Sequence, residues 1–121
     1  MPQFVILRHN SPRGLHWDLM IESGGVLRTW ALSQPPAPGA EIACESLPDH
    51  RAAYLDYEGP ISGERGSVSR WDHGTCRIVE QGEAAWILEL SGQKLRGRAI
   101  VGQSPEAPQA WRFSFTPRPA P

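Results

Sequence analysis

Nowhere in this chain do apolar residues recur with the 3.6-residue period of a long helix. They come in short runs rich in β-branched and aromatic residues, cut apart by twelve glycines and twelve prolines. The runs at 3–8 (QFVILR), 15–22 (LHWDLMIE), 26–32 (VLRTWAL), 41–45, 66–72 (GSVSRWD), 75–80 (TCRIVE), 84–91 (AAWILELS), 97–102 (GRAIVG) and 109–115 (QAWRFSF) predict strands. ESGGV and WDHGT read as hairpin turns between them, because glycine accepts the positive φ of a tight turn. Strands this short and regularly spaced imply an all-β fold, a small closed or nearly closed β-barrel. One segment departs from the pattern. SLPDHRAAYLDYEG, 46–59, offers Ser46 as a cap, an early proline and then one or two short helical turns, on which His50 and Tyr54, four apart, share a face. The length of 121 residues fits one domain, expected over 1–116, followed by a flexible C-terminal tail over 117–121.

The composition excludes several classes of function. A formal net charge of −1 gives no broad basic field for nucleic acid or anionic membrane, so any nucleic-acid contact must be local. Cys44 and Cys76 are far apart, with no CxxC, which argues against a zinc ribbon or a thioredoxin-like centre and for two reduced thiols. No apolar run approaches membrane-spanning length and the N-terminus lacks the pattern of a leader, so the expected location is cytoplasmic.

The chemistry gathers in RHNSPRGLHWDLMIE, residues 8–22. Alternation along a strand puts His16, Asp18, Met20 and Glu22 on one face, and the apolar Leu15, Trp17, Leu19 and Ile21 on the other. The short loop after His9 can fold it back beside His16. Two imidazoles and a carboxylate form a mixed N/O donor set with open positions, suited to Mn²⁺, Zn²⁺ or Fe²⁺. His50 and Tyr54 are then candidates to hydrogen-bond a phosphate, and His50 to act as a general acid. Spacing alone leaves a second reading open, in which these are polar residues at a solvated strand edge and His50 and Tyr54 form a structural pair.

Several blocks in one order resemble a known family, the 3′-phosphoesterase domain of bacterial DNA ligase D, which also occurs as stand-alone proteins. FVILRHNSPRGLHWDLMIESGGVLRTWAL is similar to its opening block, and DHRAAYLDYEGPI to its Asp-His…Tyr…Glu-Gly block. GSVSRWDHGT and LSGQKLRGRAIV resemble its later Trp-Asp-x-Gly-Thr and Gly-x-Lys-Leu-x-Gly-Arg blocks. The resemblance implies a small barrel with a site on one rim, and a Mn²⁺-dependent trimming of terminal ribonucleosides or 3′-phosphates from 3′ ends in non-homologous end joining. Carried onto this chain, it makes His9, His16 and Asp18 the metal ligands and His50 and Tyr54 the phosphate contacts. It implies nucleic-acid 3′ ends and end-joining repair proteins as partners.

This chain also departs from the family pattern. Met20 and Gln34 stand where the family has an arginine and a lysine. The cations that could replace them are Arg28, Arg13 and Arg51. Pairing Ile21 with Leu27 across the SGG turn would set Arg28 opposite Met20 on the metal-bearing face; a register one residue different would turn it away. The loss of phosphate-binding charge keeps an alternative in view: a catalytically weak or inactive metal-binding homologue that serves as a DNA-end or protein-binding module.

Overall fold

The structure is a computed structural model that describes residues 1–119. Its strands are β1 (Gln3–Ser11), β2 (Gly14–Ser23), β3 (Val26–Leu32), β4 (Glu41–Arg51), β5 (Gly59–Pro60), β6 (Ser67–Gln81), β7 (Ala85–Gly92), β8 (Arg96–Gln103) and β9 (Trp111–Pro117). They form one antiparallel sheet in the order β1-β2-β3-β4-β9-β8-β7-β6-β5, and β1 also pairs with β6. That last pairing closes the ring, although β4 and β9 meet only over Glu41–Cys44, which keeps the ring from being a regular barrel. The fold is all-β and nearly closed, as the strand pattern implies.

β1 explains why QFVILR is an unbroken apolar run. Phe4 and Ile6 join a large cluster with Leu19, Trp30, Leu88 and Phe113, which fills the inside of the ring. Val5 and Leu7 point the other way, into a second cluster with Met20, Leu27, Leu55 and Val68. Both faces of β1 are therefore buried, and neither can be polar. The second cluster lies outside the ring, roofed by a short 3₁₀ turn, Ala52–Leu55, and by Tyr54 and Ile61.

Three local expectations need correction. WDHGT is not a hairpin turn: β6 runs through it, pairing with β1 on one side and β7 on the other, with an irregularity opposite Ile6 and Leu7. Gly74 is needed there for close approach rather than for a turn, since a Cβ would lie 2.1 Å from the Ser91 carbonyl oxygen. Ser46 caps no helix, because β4 continues to Arg51 and only Ala52–Leu55 is helical. Pro48 fits within β4 because the ladder with β3 is irregular there and β9 no longer pairs alongside. Finally, the Gly24–Gly25 turn pairs Ser23 with Val26, so Ile21 faces Arg28 and Met20 faces Thr29. Both glycines have positive φ, 61° and 85°, as a two-residue hairpin turn requires. At the C-terminus, β9 includes Pro117 and the Arg118 amide donates to the Arg96 carbonyl. Residues 120–121, the end of the expected tail, lie outside the described residues.

Candidate metal centre

The β1–β2 hairpin brings the three predicted ligands together by local geometry. Ser11 pairs with Gly14, which sets His9 directly opposite His16, with ring centroids 4.5 Å apart. Asp18 lies two residues along the same face, beside Leu7. One ligand atom from each of His9, His16 and Asp18 falls within 4.8 Å of the others. The centre sits on the outer face of the sheet, next to the second apolar cluster, rather than on the rim.

The donor atoms are arranged as a cation would require. His9 Nε2 lies 2.8 Å from the Arg65 carbonyl oxygen, which can only accept, so this nitrogen carries the hydrogen. His9 Nδ1 then faces Asp18 Oδ2 at 3.0 Å, an acceptor against an acceptor unless a proton or metal ion joins them. On the other side His16 Nε2 is 3.1 Å from Asp18 Oδ1 but out of line for a hydrogen bond, so this oxygen has no hydrogen-bond partner among the described residues. Asp18 is 3% exposed, and leaving a carboxylate oxygen unpaired at that depth is costly. Separations near 3.0 Å are what two adjacent ligands with bonds of about 2.1 Å present around one ion. The residues fit a divalent metal. The Asp18 carboxylate also raises the His16 pKa above its ordinary value, against the lowering effect of burial, so a proton and a metal compete for that imidazole.

His50 and Tyr54 come from the end of β4 and the 3₁₀ turn, and their rings meet edge to face at 5.7 Å. They share a cavity of about 70 Å³ with His9, Asp18, Met20 and Arg65. His50 Nδ1 donates to the Pro48 carbonyl at 2.8 Å, which leaves Nε2 as the nitrogen that takes or gives a proton. A larger groove of about 790 Å³ opens from the same cluster over β3 and β4, and His50 borders it too.

The three candidate arginines part company. Arg13 borders the larger groove. Arg28 does not: the register turns it away, so that its guanidinium stacks over Trp30 at 4.1 Å and near Trp111 at 5.6 Å. Arg51 is exposed beside His50 and lines neither depression, and Gln34 is an exposed loop residue. The residue that sequence reasoning missed is Arg65. It borders both depressions, and its carbonyl orients His9 across 56 residues of sequence. Its nearest signal is Gly66, where φ is +90° and a Cβ would fall 2.0 Å from the Asn10 carbonyl oxygen, pinning this loop against the end of β1.

Comparison with known proteins agrees with the order of the motifs. Residues 7–102 match the model for the DNA Ligase D 3′-phosphoesterase domain. The chain is 30% identical over 108 residues to the multifunctional non-homologous end joining protein LigD of Pseudomonas aeruginosa, covering 79% of this chain and 12% of that protein. It is 34% identical over 106 residues to the LigD protein of Mycobacterium bovis, covering 78% of this chain and 14% of that protein. The chain thus spans only a small part of the length of these relatives, and among its described residues no helix is long and apolar enough to cross a membrane. The match across most of the chain shows that it belongs to the DNA ligase D 3′-phosphoesterase domain family.

Proposed function

We propose that this protein is a metal-dependent phosphoesterase acting on nucleic-acid 3′ ends in end-joining repair, with His9, His16 and Asp18 as ligands of Mn²⁺, Zn²⁺ being the alternative. The observation that carries this reading is the buried Asp18 carboxylate set against two imidazoles with one oxygen unpaired. When bound, such an ion supplies Lewis-acid neutralisation of the phosphoryl charge and makes water acidic at neutral pH. His50 is assigned the proton transfer: as a water oxygen bonds to phosphorus and the P–O5′ bond breaks, Nε2 delivers its proton to the departing oxygen, while the water gives up a proton to solvent, which reprotonates His50 after release. The Tyr54 hydroxyl donates to a non-bridging oxygen from the same small cavity, and Arg13 and Arg65 hold phosphate at the edge of the groove.

A second reading has its own support. Met20 is 1% exposed where the family has arginine, and Arg28 is held on the far side of the sheet. Loss of one charge-stabilising group lowers rates by about 10²–10³, which would leave a slow or silent homologue that binds DNA ends or a repair protein. Two measurements separate the readings. Calorimetry with Mn²⁺ on the wild type and on Asp18→Ala tests the ligand set; equal binding by both would refute it. Incubation with Mn²⁺ and a primer–template ending in one ribonucleotide, or in a 3′-phosphate, tests turnover. No trimming at high protein concentration, with metal bound, selects the binding reading.

A further inference from the structure

The wall of the ring opposite the candidate centre has a chemistry of its own. Counted either way round the ring, β8 stands four strands from β2. Leu88 and Leu90 of β7 and Ala99 and Val101 of β8 are buried inside, so alternation turns Ile87, Glu89, Arg98 and Ile100 outward. The ladder then sets the outward side chains in rows. Arg77 of β6 faces Glu89, and Glu89 faces Arg98. In the row toward the β7–β8 turn, Ser91 faces Arg96, whose Nε donates to the Gly92 carbonyl at 3.1 Å. Beside it Arg118 donates to the Leu90 carbonyl at 3.0 Å. All four arginines are exposed, and among the described residues only Arg98 has a carboxylate partner, Glu89 at 2.6 Å. This end of the wall is therefore positive in a chain whose formal net charge is −1. On the other side of Arg98, the next row pairs Ile87 with Ile100, which is 40% exposed. Glu80 beside Ile87, and Glu41 beyond Ser114, close that row at its two ends.

We infer that this wall docks an acidic, aliphatic segment of a partner protein, with carboxylates on Arg96, Arg98 and Arg118 and an aliphatic side chain on Ile87 and Ile100. The inference is independent of the phosphoesterase reading, since no residue of the metal cluster or its groove takes part. Charge complementarity is one support. Guanidinium forks bind carboxylates through paired N–H bonds, and backbone carbonyls already orient Arg96 and Arg118, so little freedom is lost on docking. Spacing is the second. Arg98 and Ile100 lie two residues apart on one strand, about 7 Å, which matches a carboxylate and an aliphatic side chain at i and i+2 of an extended partner. Glu80 and Glu41 repel carboxylates from the ends of the apolar row, which confines the partner's acids to the arginine side. Because β8 is paired on both sides, the contact is made by side chains and not by strand addition. Nucleic acid suits the wall less well. The aromatic side chains of β7 and β9, Trp86, Trp111, Phe113 and Phe115, are all buried, so no platform is offered to bases. A second copy docked through the same face would set arginine against arginine.

The test needs neither metal nor turnover. A short acetylated peptide, Glu-Glu-Val-Val-Glu-Glu, added at millimolar concentration to the whole chain, shifts the backbone amide resonances of Ile87, Arg98 and Ile100 and leaves that of His16 unmoved. The same peptide with Gln in place of Glu binds about tenfold more weakly. Arg96→Ala/Arg118→Ala weakens binding of the acidic peptide by about tenfold, and Ile100→Ser by about threefold; these side chains are exposed, so their removal leaves the core intact. An acidic peptide that leaves those amides of the wild type unmoved overturns the inference, as does equal binding of the Glu and Gln peptides. Oligothymidylate that shifts the same amides at a lower concentration than the acidic peptide also overturns it, and makes the wall a nucleic-acid face.

Discussion

Met20 answers to two neighbourhoods at once. It is 1% exposed and packs with Val5, Leu7, Leu27 and Leu55, yet it also walls the cavity shared by His9, Asp18, His50 and Tyr54. An arginine at this position would extend its guanidinium into that cavity, toward the proposed phosphate position. Met20→Arg is expected to raise cleavage of a ribonucleoside-terminated end by about tenfold or more, while overpacking lowers stability by about 1–3 kcal/mol. A folded variant with an unchanged or lower rate would refute the claim that a missing cation limits turnover. Cys44 makes a separate point on the inner face of β4, packed against the core cluster. Burial pushes its thiol up to about 12 from 9.0, against the opposing pull of Arg112 and Arg28. The thiolate is the reactive form, so iodoacetamide at pH 8 should label Cys44 about 10³-fold more slowly than a free thiol of ordinary pKa. Labelling at the free rate would mean that the core cluster is wetter at Cys44 than its packing implies.

Asp72 and the turn between β7 and β8 show what a motif residue does when it is not catalytic. Asp72 is 1% exposed; its Oδ1 accepts from the amides of His73, Gln93 and Lys94, and its Oδ2 from that of Leu95. One carboxylate thus ties the middle of β6 to the β7–β8 turn. Gly92 has to lack a side chain because a Cβ would lie 2.4 Å from Asp72 Oδ2. Asp72→Ala strands four N–H groups, that of Leu95 buried, and should cost about 3 kcal/mol, measured by urea unfolding; a loss under about 1 kcal/mol would show that water replaces the carboxylate. This device also marks the limit of what the sequence discloses. Gly24–Gly25 and Gly74 look alike in sequence, but the first pair needs positive φ, a local property, and the second needs room for a backbone whose nearest residue is Ser91. The candidate metal centre was legible because it is local: a tight hairpin turn and i, i+2 alternation suffice to gather His9, His16 and Asp18. Arg28 was not, since its face depends on one residue of register, and Arg65 was not, since it reaches His9 through a long-range hydrogen bond.

Closure of the ring bears on how the molecule would meet the DNA end proposed above. β1 is paired on both sides, and the candidate centre lies on the outer face of β1 and β2, while the whole chain has a formal net charge of −1. Arg28 is committed to the two tryptophans, and Arg98 to Glu89 at 2.6 Å. Binding of a 3′ end then depends on the few cations at the groove, chiefly Arg13 and Arg65 with Arg51 near by. Each phosphate neutralised on a single strand contributes about −0.7 to the slope of log affinity against log salt. Two or three such contacts predict a slope of about −2, measured by fluorescence anisotropy of a labelled 3′ overhang across a salt series with metal present. Arg13→Ala and Arg65→Ala should each reduce the steepness by about 0.7, and Arg28→Ala should leave it unchanged, because that guanidinium faces Trp30 rather than the groove. A slope near −6 or steeper would require a broad basic surface that this charge distribution does not provide.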